Sequence, residues 1–192
     1  MDFDIPEDLS MIVDVAREFR RRELQPLEQD FLFTGELDLE VRAGLEMKAR
    51  EKGLWALEVP VEDGGAGLGL LACAMLNAEI AKCAIPFGFP GSPEPLLKFG
   101  TEEQRAKYYY PVITGERRGC YAFTEPDAGS DIQGIKTRAT DCGTHWVLNG
   151  AKIFITDAHR SDYAFVFAVT EPGKGAKGGI SCFIVDYNMP GF

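Results

Sequence analysis

Near residue 118 of this 192-residue chain, the apolar residues change from a helical to a strand-like period. That change limits the fold to a helical part followed by a β part, α+β rather than alternating βαβ units. Before it, Leu9, Ile12, Val13, Ala16 and Phe19-Arg20 follow i, i+3, i+4, i+7 spacing. They put one apolar stripe on a helix that Pro26 should end or kink. Asp38 to Lys52 repeats the design with Val41, Leu45 and Lys48-Ala49 and stops at Gly53, a favourable residue just past a helix end. Leu70 to Ala84 is almost uniformly apolar, which predicts a helix buried on most sides. Thr101-Glu-Glu-Gln104 has the form of a capping box and starts a fourth helix, ended before Pro111.

After residue 118, six runs are rich in aromatic and β-branched residues, as half-buried strands are. They are Cys120 to Thr124, Thr137 to Thr140, His145 to Leu148, Lys152 to Thr156, Tyr163 to Thr170 and Ile180 to Val185. Asn149-Gly150 stands between two of them and reads as a hairpin turn, whose two positions both need positive φ. The expectation is an amino-terminal helical bundle over residues 1–118 and an antiparallel, barrel-like β domain over residues 119–192. Pro172 to Gly179 reads as a Gly/Lys-rich loop between strands.

Hydrophobic content of 45% is enough for a real core, and the net charge of −10 argues against a nucleic-acid partner, which needs a clustered basic face. Arg20-Arg21-Arg22 is interleaved with Glu18 and Glu23 and reads as a solvated helix face. The five cysteines are widely spaced with no C-x-x-C pair, so they read as buried or semi-buried thiols in a reducing compartment. The acidic amino terminus has no secretory pattern and no run is long enough to span a membrane, which makes the cytoplasm the expected location. His145 and His159 stand alone, a strand and a loop residue without metal-ligand spacing. Gly67-Leu-Gly69-Leu-Leu-Ala72 matches G-x-G-x-x-A but lacks the βαβ context of a dinucleotide site, so it reads as a turn into a helix. Tyr108-Tyr109-Tyr110 reads as packing plus one exposed ring.

The chemistry concentrates in Tyr121-Ala-Phe-Thr-Glu-Pro-Asp-Ala-Gly-Ser-Asp131. Pro126 cannot donate to a ladder, so the strand must stop near Glu125, and Asp127 to Ser130 then turn. Read from the residues alone, this is either a concave set of backbone N–H groups suited to an anion or an ordinary turn capped by Ser and Asp. Thr124 at the strand's end can hydrogen-bond a heteroaromatic ring edge.

This stretch resembles the Y-x-x-T-E-P-x-A-G-S-D signature of the acyl-CoA dehydrogenase family, and Asn149-Gly-x-Lys152 with Ile155-Thr156 is similar to its N-G-x-K-x-W-I-T signature. Pro60 to Gly65, Gly100 to Gln104 and Pro190-Gly-Phe192 resemble its P-E-x-x-G-G, G-T-x-x-Q and P-G-F/V segments, so the likeness runs along the whole chain. The resemblance implies an FAD enzyme that removes two hydrogens from the α and β carbons of an acyl-CoA thioester to give a trans-2-enoyl-CoA. It implies that Tyr121, Phe123 and Thr124 lie along the flavin ring, with Phe154 and Ile155 beside it. Thr156 then donates near the flavin N5, and Gly129 and Ser130 meet the FAD pyrophosphate or, for Ser130, the substrate's phosphopantetheine.

Two departures from the family pattern stand out. Phe154 replaces Trp, keeping an aromatic face but losing the indole N–H. The family's catalytic base is a glutamate on a carboxy-terminal helical domain, and the chain ends at Phe192, so no catalytic residue is assigned. Glu125, fixed before Pro126, reads as structural, holding the turn by hydrogen bonds. Of the loop Ile85 to Pro90, Phe87 or Phe89 is expected to limit the acyl tail. Implied partners are an acyl-CoA substrate, an electron-transferring flavoprotein as acceptor, and further copies or a chain supplying the missing helical domain. A noncatalytic flavin- or CoA-binding subunit and a cofactor-free structural protein are the competing classes. Leu70 to Ala84 and Tyr163 to Thr170 are expected to present apolar faces that the missing domain covers.

Overall fold

The computed structural model describes residues 6–192. The chain divides into two compact units, one ending at Gly115 and one comprising Glu116–Phe192.

In the first unit α1 (Glu7–Phe19) buries the predicted stripe, with Ala16 and Phe19 fully enclosed. Pro26 changes the winding instead of ending the helix. A π turn, Arg20–Leu24, leads through the 3₁₀ turn Gln25–Leu27 into α2 (Glu28–Thr34), which Gly35 closes at φ 74°. The same device recurs after the capping box, where both reciprocal bonds of Thr101 and Gln104 form. There α5 (Glu102–Gln104) passes through the π turn Arg105–Tyr109 into α6 (Tyr110–Thr114). Pro111 therefore lies inside the helical run and not after it. In both places the residue before the proline closes an i→i+5 bond, Gln25 N–H to Arg20 and Tyr110 N–H to Arg105. The missing proline N–H then falls where the register changes, which spares an ordinary helical bond.

α3 (Leu39–Glu51) starts at Asp38, whose carboxylate accepts from the N–H groups of Glu40 and Val41, and it ends at Gly53 with φ 72°. α4 (Leu70–Ile80) is shorter than its apolar run and only half buried. Cys73, Leu76 and Ile80 pack against Ala16, Phe19, Leu45 and Ala49, whereas Leu70 and Leu71 are 84% and 60% exposed. Glu79 is the polar member of the inward face. Burial alone raises its pKa, but Lys82 and Arg20, whose guanidinium lies 3.0 Å away, more than offset that and hold it below the usual carboxylate range. Tyr109 is buried and donates its hydroxyl to Asp63 at 2.9 Å, Tyr108 is buried, and Tyr110 is the exposed ring of the three.

The second unit is a five-stranded sheet: β1 (Gly119–Ala122), β2 (Arg138–Asp141), β3 (Trp146–Asn149), β4 (Tyr163–Val169) and β5 (Ile180–Asp186). β5 pairs antiparallel with β4 over its whole length. β1 pairs in parallel with the first half of β4, and β2 meets β4 in parallel at Val169. The sheet is thus open and mixed, not an antiparallel barrel. The chain leaves β1 through a long crossover and returns in the same direction, so no hairpin can link β1 to β4.

Two local expectations change with it. The turn joining β2 to β3 is at Cys142–His145, closed by Cys142 N–H to His145 O at 2.9 Å with Gly143 at φ 85°. Gly150 has no positive φ; it is a point of close approach, because a Cβ there would lie 2.3 Å from Thr137 Oγ1 and 2.7 Å from Thr137 Cα. Lys152 to Thr156 is a loop and not a strand.

Candidate functional site

The site is built where β1 ends. Alternation along the paired strands sorts two faces. On one, Tyr121 and Phe123 lie beside Phe165 and Phe167, with ring centroids 5.3 Å apart for Tyr121–Phe165 and 4.6 Å for Phe123–Phe167. On the other, Cys120, Ala122, Ala164 and Val166 form a small core that takes in Leu148, Ile155 and Val185.

Beyond Thr124 the chain folds back on itself. Glu125 N–H donates to Ala128 O at 2.8 Å and Ala128 N–H returns to Glu125 O at 3.2 Å, with Pro126 and Asp127 at the corner. Two of the turn's N–H groups are therefore engaged internally. Gly129 and Ser130 follow it exposed.

Glu125 is 5% exposed, and its carboxylate ties three segments together. It accepts from the backbone N–H groups of Lys136 at 2.6 Å and Thr137 at 3.0 Å, and from the Lys152 ammonium at 2.8 Å. Burial alone would raise its pKa, but the Lys152 bond and those from Thr137 and Lys136 outweigh it and bring the carboxyl down to about 2. Such a group is an anchor, with its lone pairs committed, and a poor proton acceptor.

Lys152 also donates to Phe123 O at 3.1 Å, and the next residue, Ile153, donates its N–H to Thr124 O at 3.0 Å. The two sequence signatures are thereby clamped to each other. Downstream, Ile155 packs into the small core, and its neighbours Phe154 and Thr156 point outward and are exposed. Phe154 is 89% exposed and sits at φ 55°, and Asp157 follows at φ 63°. Arg160 and Ser161 hold that turn, Arg160 Nε donating to the Asp157 carboxylate and Ser161 Oγ to its carbonyl.

Phe154 thus presents a flat apolar ring to solvent on a backbone conformation that costs about 1–2 kcal/mol, a kind of strain that clusters at ligand sites. An exposed hydroxyl, Thr156, stands beside it, and Tyr121, Phe123 and Thr124 lie at the strand end to which the loop is tied. The residues fit a planar heteroaromatic ring with polar edges, which is what a flavin presents.

The structure ties the loop carrying Phe154, Ile155 and Thr156 to Phe123 and Thr124 at the end of β1, with Gly129 and Ser130 following the next turn, but it places Ile155 on the sheet face opposite Tyr121 and Phe123. Phe87 belongs to the first unit, where it is 5% exposed in that unit's core with its ring 5.3 Å from Phe19. Phe89 packs edge-on against Phe87 and is half-buried. Sequence reading missed Lys152 as the clamp and Phe167 as part of the aromatic face; Lys152 stands in the N-G-x-K motif and was the legible signal. Among the described residues no group of His, Cys, Asp and Glu could hold a metal ion, and no helix is long and apolar enough to cross a membrane.

With this geometry in view, the comparisons with known proteins agree along the whole chain. Residues 6–116 match the acyl-CoA dehydrogenase N-terminal domain and residues 120–192 match the acyl-CoA dehydrogenase middle domain. The chain belongs to the acyl-CoA dehydrogenase family, a family of flavoprotein oxidoreductases. It is 37% identical to the 3-(aryl)acrylate reductase of Clostridium sporogenes, covering 96% of this chain and 49% of that protein. It is 36% identical to human mitochondrial short-chain specific acyl-CoA dehydrogenase, covering 98% of this chain and 46% of that protein. Among solved structures, the FAD complex of PigA superposes with a TM-score of 0.84 at 32% identity, covering 100% of this chain and 51% of that one. The chain spans about half the length of the curated relatives it matches.

Proposed function

We propose that this chain supplies the flavin-binding part of an acyl-CoA dehydrogenase, an FAD enzyme that oxidises the α,β carbon–carbon bond of an acyl-CoA thioester. The observation that carries the reading is the exposed Phe154 ring, held at positive φ beside Thr156 and tied to Thr124 through Ile153. When bound, FAD supplies a two-electron hydride acceptor. In this reading Tyr121, Phe123 and Thr124 line the ring, Phe154 and Ile155 border it, and Thr156 presents a hydroxyl to the edge where negative charge grows. Gly129 and Ser130 meet a phosphate of the cofactor or the pantetheine arm of the substrate. Phe87 or Phe89 limits the acyl group.

No residue of this chain is assigned as the base that removes the α proton. Glu125, at about 2 and with three donors on its carboxylate, is unsuited to the task. The base belongs to the half of the relatives' length that this chain does not span. The alternative reading is a noncatalytic flavin- or CoA-binding subunit that completes its site with another chain. The reductase among the relatives also keeps the reverse direction, reduction of an unsaturated acyl group, within the same chemistry. Proposed partners are an acyl-CoA, an electron-transferring flavoprotein, and either further copies of this chain or a chain bearing the missing helices. The cytoplasm remains the proposed location; of the five thiols expected to be buried or semi-buried, Cys73, Cys83 and Cys120 are buried and Cys142 and Cys182 are exposed.

The test is anaerobic mixing of the FAD-loaded full chain with a helical partner chain or extension and a series of saturated acyl-CoA thioesters. Bleaching of the flavin by a thioester supports the dehydrogenase. Stable flavin colour with every thioester, alongside measurable CoA-ester binding, supports the noncatalytic subunit instead.

A further inference from the structure

Lys152 does more than neutralise Glu125. Its side chain is 10% exposed, and its ammonium is shared between a carboxylate oxygen at 2.8 Å and the carbonyl oxygen of Phe123 at 3.1 Å. That carbonyl and the N–H of Thr124 belong to one peptide unit. The described chain has no cis peptide bond, so the Thr124 N–H points away from Lys152, opposite to the Phe123 carbonyl. No described residue accepts a bond from that N–H, whereas the Thr124 carbonyl takes the Ile153 N–H. A cation on one end of a peptide draws electron density toward the oxygen and makes the N–H at the other end a stronger donor, most effectively where water is excluded.

We propose that Lys152 is a positioning residue that sets the donor strength of the Thr124 N–H through the Phe123–Thr124 peptide, and so the electron affinity of a heteroaromatic ring held against Thr124. The inference rests on the flavin reading above. Its consequence is selective: the buried cation strengthens binding of a ring after it has gained electrons more than before. A purely structural clamp strengthens both equally.

The experiment measures the affinity of the full chain for oxidised and for reduced FAD separately, together with the midpoint potential of the bound flavin. The main variant is the double substitution Glu125→Gln with Lys152→Met, which replaces one net-neutral pair by another and leaves the distant field unchanged. Its expected effect is a tenfold loss of affinity for reduced relative to oxidised FAD, a fall in potential of about 30 mV for a two-electron couple. Lys152→Arg keeps the cation and the wild-type potential. Equal weakening of both redox states, or a double variant at the wild-type potential, overturns the proposal.

Should the double variant not fold, Glu125→Gln alone gives the opposite sign. The cation loses its counter-charge and the potential rises, and an unchanged or lower value overturns the proposal. A folded wild-type chain that binds neither redox state of FAD sinks the flavin reading itself, an outcome separate from those above.

Discussion

The Lys152 ammonium donates to the Glu125 carboxylate across 2.8 Å, although the two residues stand 27 apart in sequence. Glu125 is buried and Lys152 partly so, and each also holds backbone: Glu125 the N–H groups of Lys136 and Thr137, Lys152 the carbonyl of Phe123. A buried pair of this kind adds little net stability over an apolar pair, but removing one partner leaves an uncompensated charge and costs about 3–5 kcal/mol. Its value is geometric, because it fixes the loop carrying Phe154 and Thr156 to the end of β1.

Acid should loosen this clamp in a defined window. Glu125 titrates at about 2 in the fold against an ordinary 4.5, so the unfolded chain takes up the proton first as the pH falls. The stability it contributes is complete above about pH 4.5 and is lost on the way down to about 2, a change on the order of 3 kcal/mol. Urea unfolding of the wild type at steps from pH 5 to 3 should show the decline, and Glu125→Gln should flatten it. Parallel slopes for the two proteins would contradict the assignment.

Phe154 separates stability from function. Phe154→Gly relieves the left-handed backbone, whereas Phe154→Ala removes the same ring and keeps the strain. The glycine variant should be the more stable of the two by about 1 kcal/mol, after allowing for glycine's extra freedom in the unfolded chain. Thermal melts of the apo proteins measure this. Both variants should bind FAD more weakly than the wild type.

Gly150→Ala should cost about 1–3 kcal/mol, because its methyl would sit 2.3 Å from Thr137 Oγ1 against a buried backbone. Gly143, in the true β2–β3 turn, has nothing within 4 Å of a Cβ but φ 85°, so Gly143→Ala is opposed by strain alone and Gly143→Asn is tolerated. Denaturant midpoints of the three variants distinguish crowding from strain.

Phe87→Ala should destabilise the first unit by about 3–5 kcal/mol, since it empties a site packed against Phe19. Any change in acyl preference must therefore be read in Phe89→Ala, where the ring is only half-buried. Loss of cooperativity in the Phe87→Ala melt, with Phe89→Ala near wild type, is the expected pattern.

Much of this was legible in the chain. The change of period near residue 118 separates helices from strands, the Thr101 capping box forms, and Glu125 before Pro126 reads as the structural anchor it is. What was not legible depended on partners distant in sequence. Asn149-Gly150 carries the local signature of a hairpin, but the glycine is there for Thr137, a contact that no window around it reveals. The parallel pairing of β1 with β4 is hidden because strand composition does not encode direction. Pro26 and Pro111 looked like helix ends, since a π turn that moves the register past a proline leaves no mark in apolar spacing. Leu70 to Ala84 reads as buried on most sides, but only about half of the helix is, because composition cannot say which face is left uncovered.

The most direct test of the claim that Tyr121–Asp131 and Asn149–Thr156 form one flavin site is to mix the folded full chain with FAD, desalt it, and record the visible absorption spectrum. The account predicts retained flavin with perturbed bands in the wild type and loss of that flavin in Phe154→Gly. A folded wild-type chain that emerges colourless would contradict it.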